Sequence, residues 1–137
     1  MIVMMTVNCN SNLSQIYQTI DNRTVLDKEP HDVWILNVSL KINPLTALTI
    51  NNTDVWWLKI INKGERESNF ISVYGSAKID GVKITSWDLY SSDTIKPNAN
   101  GSIPRPYIIV DNTEGSLNSS NSEIVVSEIY WNQDNVE

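Results

Sequence analysis

The 137-residue sequence has few of the residues that build common functional sites. It contains one cysteine, Cys9, and one histidine, His31. A single cysteine cannot form an intrachain disulfide, and one His with one Cys cannot assemble a His/Cys metal site within one chain. We therefore predict no metal and no cofactor. We interpret Cys9 as a buried, inert thiol or as half of a bridge to a partner outside the chain.

Positive charge and long apolar runs are also scarce. The net charge is −6, and the lysines are scattered singly along the chain. Nucleic-acid-binding proteins cluster Lys and Arg on one face, so we predict no nucleic-acid partner. No apolar run approaches the roughly 18 residues that a membrane-spanning helix needs, so we predict no membrane insertion. The opening residues, MIVMMTV, are too short and lack the basic residue of a complete signal peptide.

Short strand-like segments make up most of the chain. Charged residues are only 19% of the total, and Asn, Ser and Thr dominate the polar remainder, which suits turns and uncharged strand faces. The predicted strands share alternating apolar residues and are bounded by Asn, Asp, Gly or Pro. They are residues 33–42, 45–50, 55–61, 70–74, 76–79, 82–87, 107–110 and 123–130.

The first part of the chain shows a different pattern. From Leu13, apolar residues recur at the i, i+3, i+4 and i+7 positions of an amphipathic helix, and Ser11 or Asn12 suits its N-cap. A short strand over residues 2–9 precedes this predicted helix. Residues 21–32 are polar, and we interpret them as a connection to the first predicted coil.

An internal repeat indicates how the strands are arranged. Residues 75–84 align without a gap on residues 115–124, at a constant offset of 40 positions. Residues 38–42 resemble a third copy, at an offset of 37 from the central one. Repeated passes of similar length predict a solenoid, in which each pass stacks on the one before.

Stacking in this register makes specific predictions. Leu40, Ala77 and Leu117 would form one inward ladder, and Ile84 would lie beside Ile124 in another. On the outside, Lys83 would lie beside Glu123.

We therefore predict an all-β parallel β-helix of a few coils in a single domain. Residues 1–32 would form the N-terminal strand, helix cap and connection, and residues 33–137 would form the coils. A β-sandwich and an antiparallel barrel are the alternatives, but of the hairpin dipeptides they need, only Asp80-Gly81 and Asn100-Gly101 are present. The last coil would have an open end, through which the chain could self-associate.

Several phrases of the sequence resemble a known family. The segments WLKI, VKITSWD and RPYI occur in this order between Val55 and Val110. They look like the amino-terminal part of secreted archaeal right-handed parallel β-helix proteins of thaumarchaeal type, which are distantly similar to polysaccharide-acting β-helix enzymes such as mannuronan C5-epimerases. The resemblance covers residues 9–131. It implies a right-handed coil and an extracellular or cell-surface location, with the active groove of the relatives in further coils.

Two groups of residues are candidates for catalysis. Glu29-Pro30-His31-Asp32 is similar to the Asp-Pro-His-Asp tetrad of the epimerases, but it precedes the predicted coils, so a solvated linker is the favoured interpretation. The second group shares charge and a predicted position on one outer face: Lys83, Asp88, Arg105 and Glu123. Such residues usually form exposed salt bridges between coils, which contribute little stability. We assign no catalytic residue.

Aromatic residues are the stronger candidates for binding, because their faces pack on sugar rings. The predicted ligand-binding residues are Trp57, Trp87, Tyr90, Arg105 and Tyr107, next to a long loop over residues 91–106. Trp56 and Trp57 are adjacent in a predicted strand, so they should face opposite sides. The alternative is that these aromatics fill the core and its ends.

Six Asn-X-Ser/Thr motifs also suit a cell-surface protein. They begin at Asn12, Asn22, Asn37, Asn51, Asn100 and Asn118. Together these observations favour a non-catalytic, extracellular or cell-surface β-helix module that binds polysaccharide. The alternative is the front part or a diverged member of a carbohydrate-active enzyme that acts on uronates as an epimerase or a lyase.

Overall fold

The structure is a computed structural model, and it describes residues 4–62, 68–88, 106–111, 113–126 and 128–132. These residues form strands, one α-helix and a single-turn 3-10 helix. In chain order the elements are β1 (Met4–Val7), β2 (Ser11–Asn12), α1 (Leu13–Ile20), β3 (Leu26–Glu29), the 3-10 turn (Pro30–Asp32), β4 (Val33–Leu36), β5 (Ser39–Ile42), β6 (Ala47–Asn51), β7 (Trp57–Ile61), β8 (Phe70–Val73), β9 (Ser76–Asp80), β10 (Lys83–Trp87), β11 (Tyr107–Asp111), β12 (Ser116–Ser120), β13 (Glu123–Val125) and β14 (Ile129–Asn132).

The strands form three sheets that the chain visits in turn. Sheet 1 has the order β1-β5-β8-β11-β14, sheet 2 has the order β12-β9-β6-β2, and sheet 3 has the order β13-β10-β7-β4-β3. From β5 onward, consecutive strands lie in sheets 1, 2 and 3 in repeating order, and each pairs in parallel with the strand one pass earlier. The described chain is therefore mostly β with parallel sheets, as predicted.

One pair departs from this pattern. Strands β3 and β4 are antiparallel and are joined by the turn over Pro30–Asp32. In that turn, His31 and Asp32 both have left-handed backbone conformations, with φ of 66° and 60°. The sequence interpretation of residues 21–32 missed β3, because only Leu26 of its four residues is buried and no alternation is visible.

The predicted register is confirmed for one repeat and is wrong for the other. Ala77 pairs with Leu117 and Ile84 with Ile124, at the predicted offset of 40. The segment that begins at Val38 is not a copy of this unit. Its strand β5 lies in sheet 1, and the residue beside Ala77 in sheet 2 is Leu48 rather than Leu40.

The cause is the unequal length of the passes. Ala47 pairs with Ser76, an offset of 29, whereas Ser76 pairs with Ser116, an offset of 40. Corners between sheets absorb the difference. A period of two marks a strand but does not tell which of three sheets the strand belongs to.

Inward side chains from all three sheets form one core. Leu40, Leu48 and Leu58, one from each sheet, are all 0% exposed. Removing a side chain of this size from water stabilises the fold by about 1.5–3 kcal/mol. The inward ladders therefore hold successive passes together.

The N-terminal end of the core is closed by α1. Asn12 is its N-cap: Asn12 Oδ1 accepts a hydrogen bond from Gln15 N, and Gln15 Oε1 accepts one from Asn12 N, which is a capping box. Leu13 is fully buried, and the Tyr17 ring meets the buried Trp34 indole edge to face at 5.5 Å. The predicted helix and its cap are confirmed.

Two glycines mark the corner between sheets 1 and 2 in successive passes. A Cβ on Gly75 would lie 2.1 Å from the Thr46 carbonyl oxygen, and one on Gly115 would lie 2.1 Å from that of Val73. Backbones approach so closely here because Ser76 N donates to Thr46 O at 2.8 Å and Ser116 N donates to Gly75 O at 2.8 Å. The glycine repeat in the sequence thus has a steric cause.

Within the described part of the chain, α1 is far too short to cross a bilayer, and no membrane-spanning helix is found.

Candidate functional site

The outer face of sheet 3 carries a cluster of indoles and ammonium groups. We call it the tryptophan–lysine surface, and it consists of Trp56, Trp57, Lys59, Lys83 and Trp87. The sheet register brings these residues together. Trp57 pairs with Lys83, Lys59 with Thr85, and Ile61 with Trp87, so outward side chains of two neighbouring strands interleave.

Lys59 lies at the centre of this surface. Its Nζ is 3.9 Å from the centroid of the Trp87 ring and 4.6 Å from that of Trp57. Glu29 Oε1 is 3.7 Å from the same Nζ, and the Lys59 side chain is only 12% exposed. Desolvated cation–π contacts are worth about 2 kcal/mol, so Lys59 acts as a structural link between β10, β7 and β3.

Trp57 is held from several sides. Its Nε1 donates a hydrogen bond to Thr85 Oγ1 at 2.9 Å, and the Trp87 ring meets it edge to face at 5.5 Å. Lys83 Nζ lies 4.1 Å from its centroid. The ring is therefore rigid, but an incoming sugar would compete with ammonium groups for its faces.

Trp56 is the accessible aromatic of the surface. It is 55% exposed, and its ring meets Trp57 at 5.8 Å with an interplanar angle of 84°. Trp56 N donates to Asp32 O at 2.8 Å, and its carbonyl accepts from Lys83 N at 2.9 Å, so its backbone is fixed from both sides. The expectation that Trp56 and Trp57 face opposite sides is wrong, because Trp56 precedes β7 and lies in the corner, where strand alternation does not apply.

Lys83 is the more available cation. No carboxylate of the described residues forms an ion pair with it, and its register partner Glu123 is exposed. The predicted neighbourhood of Lys83 and Glu123 is confirmed. Arg105 and Tyr90, with residues 91–105 of the predicted loop, lie outside the described residues.

Tyr107 belongs to a different surface. It lies on the outer face of sheet 1, where its ring stacks on Phe70 at 5.2 Å and on Tyr130 at 5.9 Å. Burial raises the pKa of its hydroxyl above the ordinary value of 10.0, and the nearby Tyr130 and Glu128 raise it further. The predicted binding residues therefore divide between two sheets: Trp57 and Trp87 are together, and Tyr107 is apart from them.

The alternative that the aromatics fill the core holds for some of them. Trp34 is 0% exposed and donates a hydrogen bond from Nε1 to Asp54 O at 2.9 Å. Trp131 occupies an inward row of sheet 1, in register with Val110, yet it is 51% exposed because no described strand lies beyond β14. The predicted self-association through the last coil stays a prediction.

The segment Glu29–Asp32, for which the sequence favours a solvated linker over a catalytic tetrad, is the end of β3 followed by a tight turn. Lys28 Nζ forms an ion pair with Asp32 at 3.5 Å, while Glu29 reaches Lys59 on the tryptophan–lysine surface. Among the described residues no group of three His, Cys, Asp or Glu side chains could hold a metal ion.

Cys9 is exposed, so the expectation of a buried thiol is wrong. It lies in the turn between β1 and β2, where Ser11 Oγ donates to its carbonyl oxygen at 2.8 Å. The same turn and α1 border an open cleft of about 470 Å³.

The sequence analysis did not identify Lys59 as the centre of this surface or Trp56 as its exposed indole. The signal that could have found Lys59 is the 26-residue offset between Trp57 and Lys83, which places the WLKI and KITSW segments side by side. That offset differs from the offset of 40 visible in the repeat, so the pairing was hidden.

Comparison with known proteins adds no identification, because no protein-family model, curated protein or solved structure matches this chain.

Proposed function

We propose that this chain is a right-handed parallel β-helix that acts outside the cell or at its surface as a non-catalytic, polysaccharide-binding module. The cyclic passage through three parallel sheets supports the β-helix, and the family resemblance supports the handedness and location. The observation that carries the binding function is the exposed Trp56 beside Lys83 on the outer face of sheet 3.

The geometry favours an acidic polysaccharide. An exposed indole provides a flat apolar face for a pyranose ring, and an ammonium with no described ion-pair partner provides a charge for a carboxylate. Lys59 is already compensated by Glu29, so Lys83 is the cation available to the ligand. The overall charge of −6 repels polyanions in general, so binding of an acidic polysaccharide depends on the local ammonium group of Lys83.

The less exposed residues of the tryptophan–lysine surface position its indole rings. Lys59 and Thr85 hold Trp57 and Trp87 in one arrangement before any ligand arrives, and Trp57 in turn supports the Trp56 ring. A preformed aromatic surface loses little conformational entropy on binding, which raises affinity without further contacts.

Affinity gel electrophoresis with alginate, pectate and a neutral glucan tests this proposal. We expect retardation by the acidic polymers, reduced by Trp56→Ala and by Lys83→Ala. Trp131→Ala is the matched control, because Trp131 is about equally exposed but lies on the inward side of sheet 1. Lys78→Ala, an exposed lysine of sheet 2, is the control for Lys83→Ala.

Two results would overturn the proposal. One is no retardation by any polymer. The other is retardation that Trp131→Ala removes and Trp56→Ala leaves unchanged. Uronate lyase activity, followed as ultraviolet absorbance of the unsaturated product, and exchange of the C5 proton with solvent would instead establish the enzyme alternative.

A further inference from the structure

The six Asn-X-Ser/Thr motifs are not equivalent in the folded chain. Asn22, Arg23 and Thr24 are all exposed and lie between α1 and β3, outside every strand and helix. Asn22 Oδ1 accepts hydrogen bonds from Thr24 N at 3.0 Å and from Thr24 Oγ1 at 2.7 Å. No described residue accepts a hydrogen bond from Asn22 Nδ2, so the amide nitrogen is open to solvent.

The motif that begins at Asn37 is inaccessible in the folded chain. Ser39 is 0% exposed, and its Oγ accepts a hydrogen bond from Phe70 N at 3.0 Å between two passes of sheet 1. Asn37 itself is half-buried, and Asn69 Nδ2 donates to its Oδ1 at 3.4 Å. A transferase cannot reach this hydroxyl without opening the sheet.

The other described motifs are held by secondary structure. Asn12 caps α1, and Ser14 Oγ donates to Asp54. Asn51 is half-buried at the end of β6, and Asn52 N donates to Asp80 O of the neighbouring strand at 3.1 Å. Thr53 of this motif is exposed, and its N donates to Asn51 Oδ1 at 3.0 Å. Asn118 is exposed, but it lies within β12, and Ser120 Oγ of its motif donates to Asp80 Oδ1 of the neighbouring strand at 2.9 Å. The motif at Asn100 lies outside the described residues.

We propose that Asn22 is the acceptor of an N-linked glycan in the folded protein, an inference that rests on the extracellular location in the proposed function. Transfer requires that the segment enter the active site of an oligosaccharyltransferase. Residues 22–24 can do so at low cost, because they are tied to the body mainly by Val25 N and Leu26 N, which donate to Asn22 O at 3.1 and 3.2 Å.

The chemistry is a substitution at the anomeric carbon of a lipid-pyrophosphate-linked oligosaccharide. Asn22 Nδ2 forms the new bond to C1, the bond from C1 to the pyrophosphate oxygen breaks, and the lipid pyrophosphate leaves with the electron pair. Nδ2 loses one proton to a base of the transferase. The Asn22 carboxamide is the group that must be accessible, and the exposed Thr24 hydroxyl is the recognition element.

The test uses the purified, folded full chain with a purified oligosaccharyltransferase that accepts Asn-X-Ser/Thr and a lipid-pyrophosphate-linked oligosaccharide. Intact mass and peptide mapping then give the number and position of the glycans. Among the motifs in the described residues, we expect Asn22 to be modified first. Asn22→Gln and Thr24→Ala should each lower the initial rate of glycan transfer, summed by peptide mapping over the motifs in the described residues, at least about tenfold, because the other described motifs are held by secondary structure. Thr24→Ser should retain transfer, and Asn118→Gln is the matched control with unchanged transfer.

The inference fails if the folded chain stays unmodified while a short peptide with the sequence of residues 19–27 is glycosylated. It also fails if the described motifs of Asn22→Gln are modified in total as fast as those of the wild type. Neither result bears on the polysaccharide gels, so failure here is distinguishable from failure of the proposed function.

Discussion

Lys59 Nζ lies 3.9 Å from the centroid of the Trp87 ring, although the two residues are 28 positions apart and on different strands. The contact is diagonal, because Lys59 pairs with Thr85 and Trp87 pairs with Ile61. It exists only because the pass from β7 to β10 has this length. Stability and the arrangement of the tryptophan–lysine surface therefore depend on the same lysine.

We expect Lys59→Ala to lower the free energy of unfolding by about 1–2 kcal/mol, since the variant loses two cation–π contacts and leaves Glu29 without its partner. Lys78→Ala is the control and should change it by less than about 0.5 kcal/mol, because Lys78 is exposed. Urea denaturation measures both. Equal stabilities of the two variants would contradict the structural role of Lys59.

The inward ladder of sheet 2 allows the same Leu→Ala substitution to be compared at two positions that differ in burial. Leu48 is 0% exposed, whereas Leu117, two strands away in the same row, is only half-buried on the last strand of that sheet. We expect Leu48→Ala to destabilise by about 2–5 kcal/mol and Leu117→Ala by clearly less. Thermal unfolding followed by circular dichroism checks the order. A larger loss at Leu117 would mean that the register of β9 and β12 is wrong.

The corner glycines differ in what they tolerate. Gly75→Ala should destabilise by about 1–3 kcal/mol or more, because its Cβ would meet two carbonyl oxygens of the preceding corner. Gly81 has φ of 71°, and Asn121, at the same corner of the next pass, adopts φ of 51° without being glycine.

Gly81→Asn should therefore be tolerated better than Gly81→Ala, since asparagine enters the left-handed region more readily than alanine. Denaturation midpoints of the three variants rank them. The steric interpretation is untenable if Gly75→Ala is as stable as the wild type.

The raised pKa of Tyr107 predicts that the free energy of unfolding decreases at alkaline pH. Its pKa is raised in the folded state, so the folded protein retains the hydroxyl proton at a pH where the unfolded chain has begun to lose it. The stabilisation is complete below the ordinary tyrosine pKa of about 10 and is lost as the pH rises through the folded value.

The urea midpoint should therefore fall more between about pH 8 and about pH 11 for the wild type than for Tyr107→Phe, because phenylalanine has no hydroxyl proton to lose. If the two proteins lose the same stability over this interval, the stacked position of Tyr107 does not control its ionisation.

Local patterns in the sequence predicted much of the architecture. Alternation identified most strands, the apolar spacing from Leu13 identified the helix, and the repeat of residues 75–84 at 115–124 predicted parallel neighbours in the correct register. These predictions succeeded because each depends on residues close in sequence, or on a repeat that kept one length.

The candidate site was predictable only in part. Trp57 and Trp87, both singled out from the sequence, lie together on sheet 3, whereas Tyr107 lies on sheet 1, because all three sheets carry the same alternating pattern. Ligand binding by these residues stays a prediction. Trp56 was misplaced because the exact start of β7 decides whether alternation applies to it.

By itself, the sequence determined that this protein is built of short strands, that one helix begins near Leu13, and that residues 75–84 lie beside residues 115–124. Each follows from periodicity, capping or a repeated segment. The tertiary structure alone decided that Lys59 lies between Trp57 and Trp87, that Trp56 faces solvent, and that Ser39 is buried while Thr24 is exposed. The physical reason is the unequal length of the passes. The number of residues in each corner decides which residues of successive strands become neighbours, and no local sequence pattern encodes that number.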